Sequence, residues 1–179
     1  MKVTIENITA SCRLDGDLDL ESISGEIEGA LYQPEIFRGI TINKTSPDHS
    51  IFLLQDGLIR FHGITSEETA EKDLKELLSL PSLRDRSISE PLKVEEVIAS
   101  TTADSPMDAK QVYEEFKDEG IIYDPSELPG FILQVGSSGI ELLIFPEGKI
   151  ISRGASNLMD AVSSLQMVHS RIFREKDEE

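Results

Sequence analysis

The sequence predicts an α+β protein built of two pseudo-symmetric β-α-β-β-β-α repeats, a mainly antiparallel sheet with helices on one face. The first observation is a turn that occurs twice. Tyr32-Gln33-Pro34-Glu35-Ile36-Phe37-Arg38-Gly39 returns as Tyr123-Asp124-Pro125-Ser126-Glu127-Leu128-Pro129-Gly130, 91 positions later, with the Tyr, Pro and Gly spacing kept. The second is the spread of that echo. Gly57, Ile59, Gly63, Ala70 and Leu74 reappear as Gly148, Ile150, Gly154, Ala161 and Leu165. Upstream the offset is 89, where Asp19, Leu20, Ile23 and Ile27 answer to Asp108, Ala109, Val112 and Phe116, and Ile5-Glu6 to Val94-Glu95. The third is a set of strands apolar on both parities. Leu142 and Ile144 oppose Leu143 and Phe145, and Ile51 and Leu53 oppose Phe52 and Leu54.

Each element has a local reason. Val3 to Arg13 alternates small, polar and β-branched residues and predicts a strand. After the Leu14-Asp15-Gly16-Asp17 turn, Asp19 caps a helix striped by Leu20, Ile23 and Ile27. Beyond the Tyr32–Gly39 turn, three strands are expected near 39–44, 50–55 and 58–63, punctuated by Ser46-Pro47-Asp48 and Asp56-Gly57. Thr65 and Glu68 read as a capping box for a helix striped by Ala70, Leu74, Leu77 and Leu78. Two prolines and a Ser/Arg/Asp mixture mark residues 81–91 as a linker between a first repeat, 1–80, and a second, 92–173. The second copy runs strand 92–102, helix 108–118, turn, strands 131–136, 140–145 and 149–154, and a helix from Asn157 striped by Ala161, Leu165, Val168 and Ile172. Residues 174–179 form a charged tail.

Helices can cover one face of such a sheet, so the second apolar face is left open for a partner or for self-association. A duplicated sheet offers an extended surface with approximate two-fold symmetry, suited to an extended and roughly symmetric ligand. Composition narrows the rest. The chain has 179 residues and a net charge of −17, from 34 acidic against 17 basic residues, which repels nucleic acid and anionic membranes in general but leaves local patches open. One cysteine, Cys12, excludes an intrachain disulfide and fits a reducing interior. With no signal-like or membrane-length apolar run, a cytoplasmic protein that does not enter membranes is expected.

Catalysis finds no support. Asp15, Asp17 and Asp19 resemble the start of a calcium loop, but Leu20 stands where glycine is needed. His49, His62 and His169 are scattered, and no glycine-rich phosphate loop is present. A non-enzymatic protein without metal or cofactor is expected.

With the repeats in place, the chain resembles the core domain of a TATA-box-binding protein. The carriers are Ile5-Glu6-Asn7-Ile8-Thr9-Ala10-Ser11, its counterpart Val94-Glu95-Glu96-Val97-Ile98-Ala99-Ser100, and the two Tyr-x-Pro turns. Leu142 to Ile151 and Gly154-Ala155 complete them. Beginning directly at the first strand, and acidic overall, it is similar to the archaeal form. The resemblance implies a saddle: a curved ten-stranded sheet, helices on the convex face, the concave face on the minor groove of AT-rich promoter DNA. It also implies general transcription initiation, with transcription factor B docking on the second half. Four apolar wedges fall on Phe37, Leu54, Leu128 and Phe145. The paired polar readers fall on Asn7 and Glu96, the apolar contacts beside them on Thr9 and Ile98, and a fourth-strand pair on His62 and Arg153. Arg60 and Lys149 supply cations, and Asp124, Ser126 and Glu127 occupy the factor-B patch. The departures are Glu96 for an expected Asn, Leu58 for a Lys, Asn43 and Gln134 for basic residues, and Glu141 on the parity of Leu143 and Phe145. They support a second reading: a paralogue with weakened or lost DNA binding that acts as a protein-interaction regulator.

Overall fold

The computed structural model describes residues 1–124 and 126–173; Pro125 of the second turn and the tail 174–179 lie outside the described residues. The elements are β1 (Val3–Leu14), α1 (Leu20–Glu26), β2 (Leu31–Tyr32), β3 (Gly39–Thr45), β4 (Asp48–Leu54), β5 (Leu58–Ile64) and α2 (Glu67–Leu78). The second series is β6 (Ile88–Thr102), α3 (Ala109–Phe116) with a 3-10 turn at Lys117–Glu119, β7 (Ile122–Tyr123), β8 (Phe131–Gln134), β9 (Glu141–Ile144), β10 (Lys149–Ala155) and α4 (Leu158–Ile172). The ten strands form one antiparallel sheet in the order β2-β3-β4-β5-β1-β6-β10-β9-β8-β7. The order is a palindrome of the repeat, as a duplication requires.

Two compact units make up the chain: Asn7–Glu95, and Met1–Glu6 with Glu96–Glu179. In the first, Ile40, Ile42, Ile51, Leu53, Ile59 and Phe61 alternate along β3, β4 and β5 and are at most 5 % exposed, packed with Leu20 and Ile23 of α1 and Ala70 and Leu77 of α2. The opposite parity, Thr41, Phe52, Leu54 and Leu58, is half-buried with no helix above it. In the second unit Leu133, Leu142, Ile144 and Ile150 pack with Val112, Phe116, Ala161, Leu165 and Val168. Ile132, Leu143, Phe145 and Ile151 lie half-buried on the other side. Each unit thus has one helix-covered face and one open apolar face, the two-sided pattern the strand parities predict.

Asp19 caps α1 as expected, Asp108 and Asn157 cap α3 and α4, and the cap of α2 departs from the expected box. Asp19 accepts from the Ser22 amide at 3.1 Å, Asp108 from the Lys110 amide at 2.8 Å, and Asn157 from the Asp160 amide at 2.9 Å. At α2 the cap is Ser66, whose side chain makes no cap hydrogen bond, so the expected Thr65–Glu68 box does not form. Ser66 instead faces Thr69, hydroxyl to hydroxyl at 3.2 Å.

Two other details differ. β2 and β7, each of two residues, sit inside stretches that read as turn. β6 begins at Ile88, inside residues 81–91, and Leu83 in that span is fully buried. One buried polar pair ties the β3–β4 hairpin to α2. His49 Nε2 meets Asp73 Oδ2 at 2.5 Å while its Nδ1 faces the Pro47 carbonyl at 2.8 Å. Among the described residues no buried side-chain nitrogen or oxygen lacks a partner.

Candidate nucleic-acid interface

The open face of each unit carries the residues singled out in the sequence. In the first unit the turn after β2 presents Phe37, 39 % exposed, with its ring edge-on to Phe52 at 6.1 Å between centroids. Gly39 is the seat of that ring. A Cβ there would stand 2.5 Å from Phe37 Cε1 and 2.8 Å from the Leu53 carbonyl oxygen. Leu54 lies beside it, since Gly39 and Leu54 are cross-strand partners. In the second unit the equivalent glycine, Gly130, seats the other aromatic: its Cβ would meet the Ile144 carbonyl oxygen at 2.9 Å and Phe145 Cδ1 at 3.0 Å. Leu128 completes that end, half-buried. Each half therefore seats one aromatic ring on a glycine, supplied by the turn in the first half and by the end of β9 in the second. Phe52, absent from the sequence-derived set, is the ring that braces Phe37.

The middle strands carry the polar set. Asn7 Oδ1 accepts from the Gly63 amide at 2.7 Å, and its Nδ2 donates to Thr9 Oγ1 at 3.3 Å. Thr9 Oγ1 in turn meets His62 Nδ1 at 3.1 Å. In the second unit Glu96 Oε1 accepts from the Gly154 amide at 3.1 Å. Ile98 takes the place of Thr9 and stays half-buried, and Arg153 takes that of His62.

The cations do not stand free. Arg60 Nε is 3.1 Å from Glu95 Oε2, Lys149 Nζ is 3.8 Å from Glu6 Oε1, and Arg153 pairs with Glu141. Glu95 also accepts from the Ser11 hydroxyl at 2.7 Å, and Glu6 accepts from the Ser100 hydroxyl. Burial pushes the Glu95 carboxyl up, but the Ser11 hydroxyl and Arg60 outweigh it and leave it below the ordinary value. Sequence reasoning missed these two Ser–Glu contacts, although Ser11/Ser100 and Glu6/Glu95 repeat at the same offset. The cross-strand neighbours Asn43 and Ser50 bond at 2.9 Å, and their counterparts Gln134 and Glu141 do likewise. Glu141 therefore accepts from both Gln134 and Arg153, as Glu95 accepts from both Ser11 and Arg60.

The second Tyr-x-Pro turn is the remaining part of the set. Asp124 accepts from the amide and hydroxyl of Ser126, and these bonds, the hydroxyl's first, hold its carboxyl below the ordinary range. Ser126 and Glu127 are exposed. Ile122 and Tyr123 are 54 % and 52 % exposed, Tyr123 stacking on Phe131 at 4.7 Å. The acidic end of the patch is thus tied by the two Ser126–Asp124 hydrogen bonds.

Nothing in this arrangement brings a nucleophile to a base, and among the described residues no three His, Cys, Asp or Glu side chains gather where they could hold a metal ion. Asp15 and Asp17 accept from Arg86 through their carbonyls, which makes that turn a clasp on the 86–87 segment. No described helix is long and apolar enough to cross a membrane. The site defines a class: a duplicated sheet protein with an open apolar face, polar along its middle strands and aromatic toward the ends.

The family described as transcription factor TFIID, or TATA-binding protein, matches residues 2–80 and 91–174. The chain belongs to this family, one of non-enzymatic transcription initiation factors. The TATA-box-binding protein of Pyrobaculum calidifontis is 29% identical over 172 residues, covering 94% of this chain and 84% of the relative. That of Archaeoglobus fulgidus is 26% identical over 173 residues, 96% and 94% of the two chains. TATA-box-binding protein D of Halobacterium salinarum is 27% identical over 176 residues, 95% and 92% of the two. Among solved structures the Methanococcus jannaschii protein superposes with a TM-score of 0.81 at 22% identity, over 96% of this chain and 98% of the other, a likeness of fold.

Proposed function

We propose that this chain binds promoter DNA through the minor groove with the open face of its sheet, and recruits transcription factor B through the patch at Asp124, Ser126 and Glu127. The observation that supports this most is the paired aromatic seat. Phe37 and Phe145 lie on glycines at equivalent positions, on faces no helix covers. An apolar wedge inserted between base steps unstacks them and opens the groove, and the extra contact area of bent DNA offsets that cost. Leu54 and Leu128 extend the wedge at each end. Asn7 supplies a donor, which the minor-groove edge of A·T pairs requires, and Thr9, Ile98 and His62 line the floor beside it. Arg60, Lys149 and Arg153 exchange a carboxylate for a phosphate on binding.

That exchange favours one alternative strongly enough to state it. Arg60, Lys149 and Arg153 each pair with a carboxylate in the free protein, so a paralogue that uses the face for protein instead would look the same. Fluorescence-polarisation titration with a TATA duplex and a scrambled duplex, across salt and with and without the cognate factor B, separates the two. Sequence-preferring binding strengthened by factor B supports the promoter reading. Folded protein that binds neither duplex in any salt rejects it.

A further inference from the structure

The two polar readers are held in the same way and present opposite chemistry. Gly63 and Gly154 are counterparts, both in the left-handed region at φ 87° and 81°. Each sits where the register with the neighbouring strand shifts, between Ile8 and Thr9 in one unit and between Ser152 and Ala155 in the other. A bulge of this kind leaves an amide out of the ladder. In both units that amide is taken by a side-chain oxygen, Asn7 Oδ1 at 2.7 Å and Glu96 Oε1 at 3.1 Å. The bond fixes the sense of each group. With its oxygen on Gly63, the Asn7 amide turns its NH2 away from the bulge as a donor, and one of its two hydrogens goes to Thr9. With one oxygen on Gly154, Glu96 turns away its second carboxylate oxygen, which can only accept. Glu96 forms no ion pair among the described residues, and Arg153, the counterpart of His62, pairs with Glu141.

The minor groove offers one donor. A·T and T·A pairs show acceptors in both orientations, and only the guanine N2 amino group donates. We propose that the second half of this protein reads a G·C pair, with the outward oxygen of Glu96 accepting from guanine N2, while the first half reads A·T pairs through Asn7. The inference rests on the promoter-binding reading and deepens it: the preferred site is unequal in its two halves, and that inequality gives the bound protein a direction. A carboxylate facing a groove without that amino group would be desolvated with no partner, so Glu96 selects against A·T pairs as well as for G·C.

The test uses the full chain and an A·T-only duplex, with the set of its single-pair replacements by G·C and by inosine·C. Inosine keeps the major-groove edge of guanine but lacks the N2 amino group. At one position in one half of the site, the native protein is expected to bind G·C more tightly than inosine·C by about tenfold, the size of one hydrogen bond to a charged acceptor. Glu96→Gln keeps the shape, places its own oxygen on Gly154 and turns an NH2 outward, so the preference should vanish or reverse. Asn7→Asp, the converse change in the other unit, should create a guanine preference in the other half and serves if Glu96→Gln fails to fold. Inosine·C bound as well as G·C at every position, or the same ratio in Glu96→Gln, overturns the inference and leaves the promoter reading standing. Failure of the native protein to bind any of the duplexes overturns both.

Discussion

Adding one methyl group at Gly39 should displace the aromatic ring at the first end of the open face. Its backbone lies outside the left-handed region, so Gly39→Ala carries no backbone strain and the effect is steric. The new Cβ would stand 2.5 Å and 2.8 Å from two atoms of the Phe37 ring and 2.8 Å from the Leu53 carbonyl oxygen. The ring can swing aside because it is 39 % exposed. The carbonyl cannot, since it belongs to the β3–β4 ladder in which Gly39 faces Leu54. Overpacking of this kind costs about 1–3 kcal/mol, a fall in melting temperature of about 2–12 °C for a chain of this length. Thermal unfolding by circular dichroism measures it. Phe37→Ala in the same chain removes the ring contacts and leaves the carbonyl contact, so the double variant should recover part of the loss and never all of it. Gly130→Ala, with its nearest contacts at 2.9 Å and 3.0 Å, should cost less than Gly39→Ala. A Gly39→Ala protein as stable as the native one, or fully rescued by Phe37→Ala, refutes the ring-seat reasoning.

Three further outcomes follow from the same geometry. Glu141→Gln removes the carboxylate that Arg153 gives up for a phosphate on binding; affinity should rise at every salt concentration while the slope of log affinity against log salt, set by the number of phosphate contacts, stays close to native, and an unchanged affinity contradicts the exchange of partners. Cys12 is 2 % exposed and burial pushes its thiol up to about 11, so a thiol reagent near pH 8 should react only after urea is added; prompt reaction of the folded protein speaks against that burial. The carboxyls of Asp56, Glu76 and Asp19 are held below their ordinary values, Asp56 by Arg13, Glu76 by Lys44 and Asp19 by Ser22. Depressed carboxyls add stability that is present above the ordinary values of 3.8 for Asp and 4.5 for Glu and is lost as pH falls through the lowered ones. Urea midpoints should therefore hold near neutrality and decline in acid, and midpoints that rise as pH drops below these values contradict the sign.

The duplication was legible because turn residues and core positions recur at fixed offsets, and the two-sided strands point to an open face from the sequence alone. What stayed hidden has physical reasons. β2 and β7 are too short to show alternation and take their form from pairing with β3 and β8. The cap of α2 falls on Ser66 rather than Thr65, because a capping-box pattern tolerates a slip of one residue and geometry decides. Strand parity places the cations but not their acidic partners: Glu141 reaches Arg153 from the adjacent strand, while Glu95 and Glu6 reach Arg60 and Lys149 from one strand further off. Gly63 and Gly154 were visible as a repeated pair, but only their left-handed conformation shows that each frees an amide for the polar reader beside it. Phe52 reads as one more strand apolar until its ring is found edge-on to Phe37.

The most direct test of the account is whether DNA bends on this face. A TATA duplex with a donor and an acceptor dye at its two ends reports bending by energy transfer, and Phe145→Ala removes a half-buried side chain from the open face without touching the helix-covered core. Transfer should rise with the native protein, and that rise should be lost in Phe145→Ala at a melting temperature close to native. Binding without any rise, or the same rise in Phe145→Ala, contradicts the claim that aromatic wedges on the open face engage the groove.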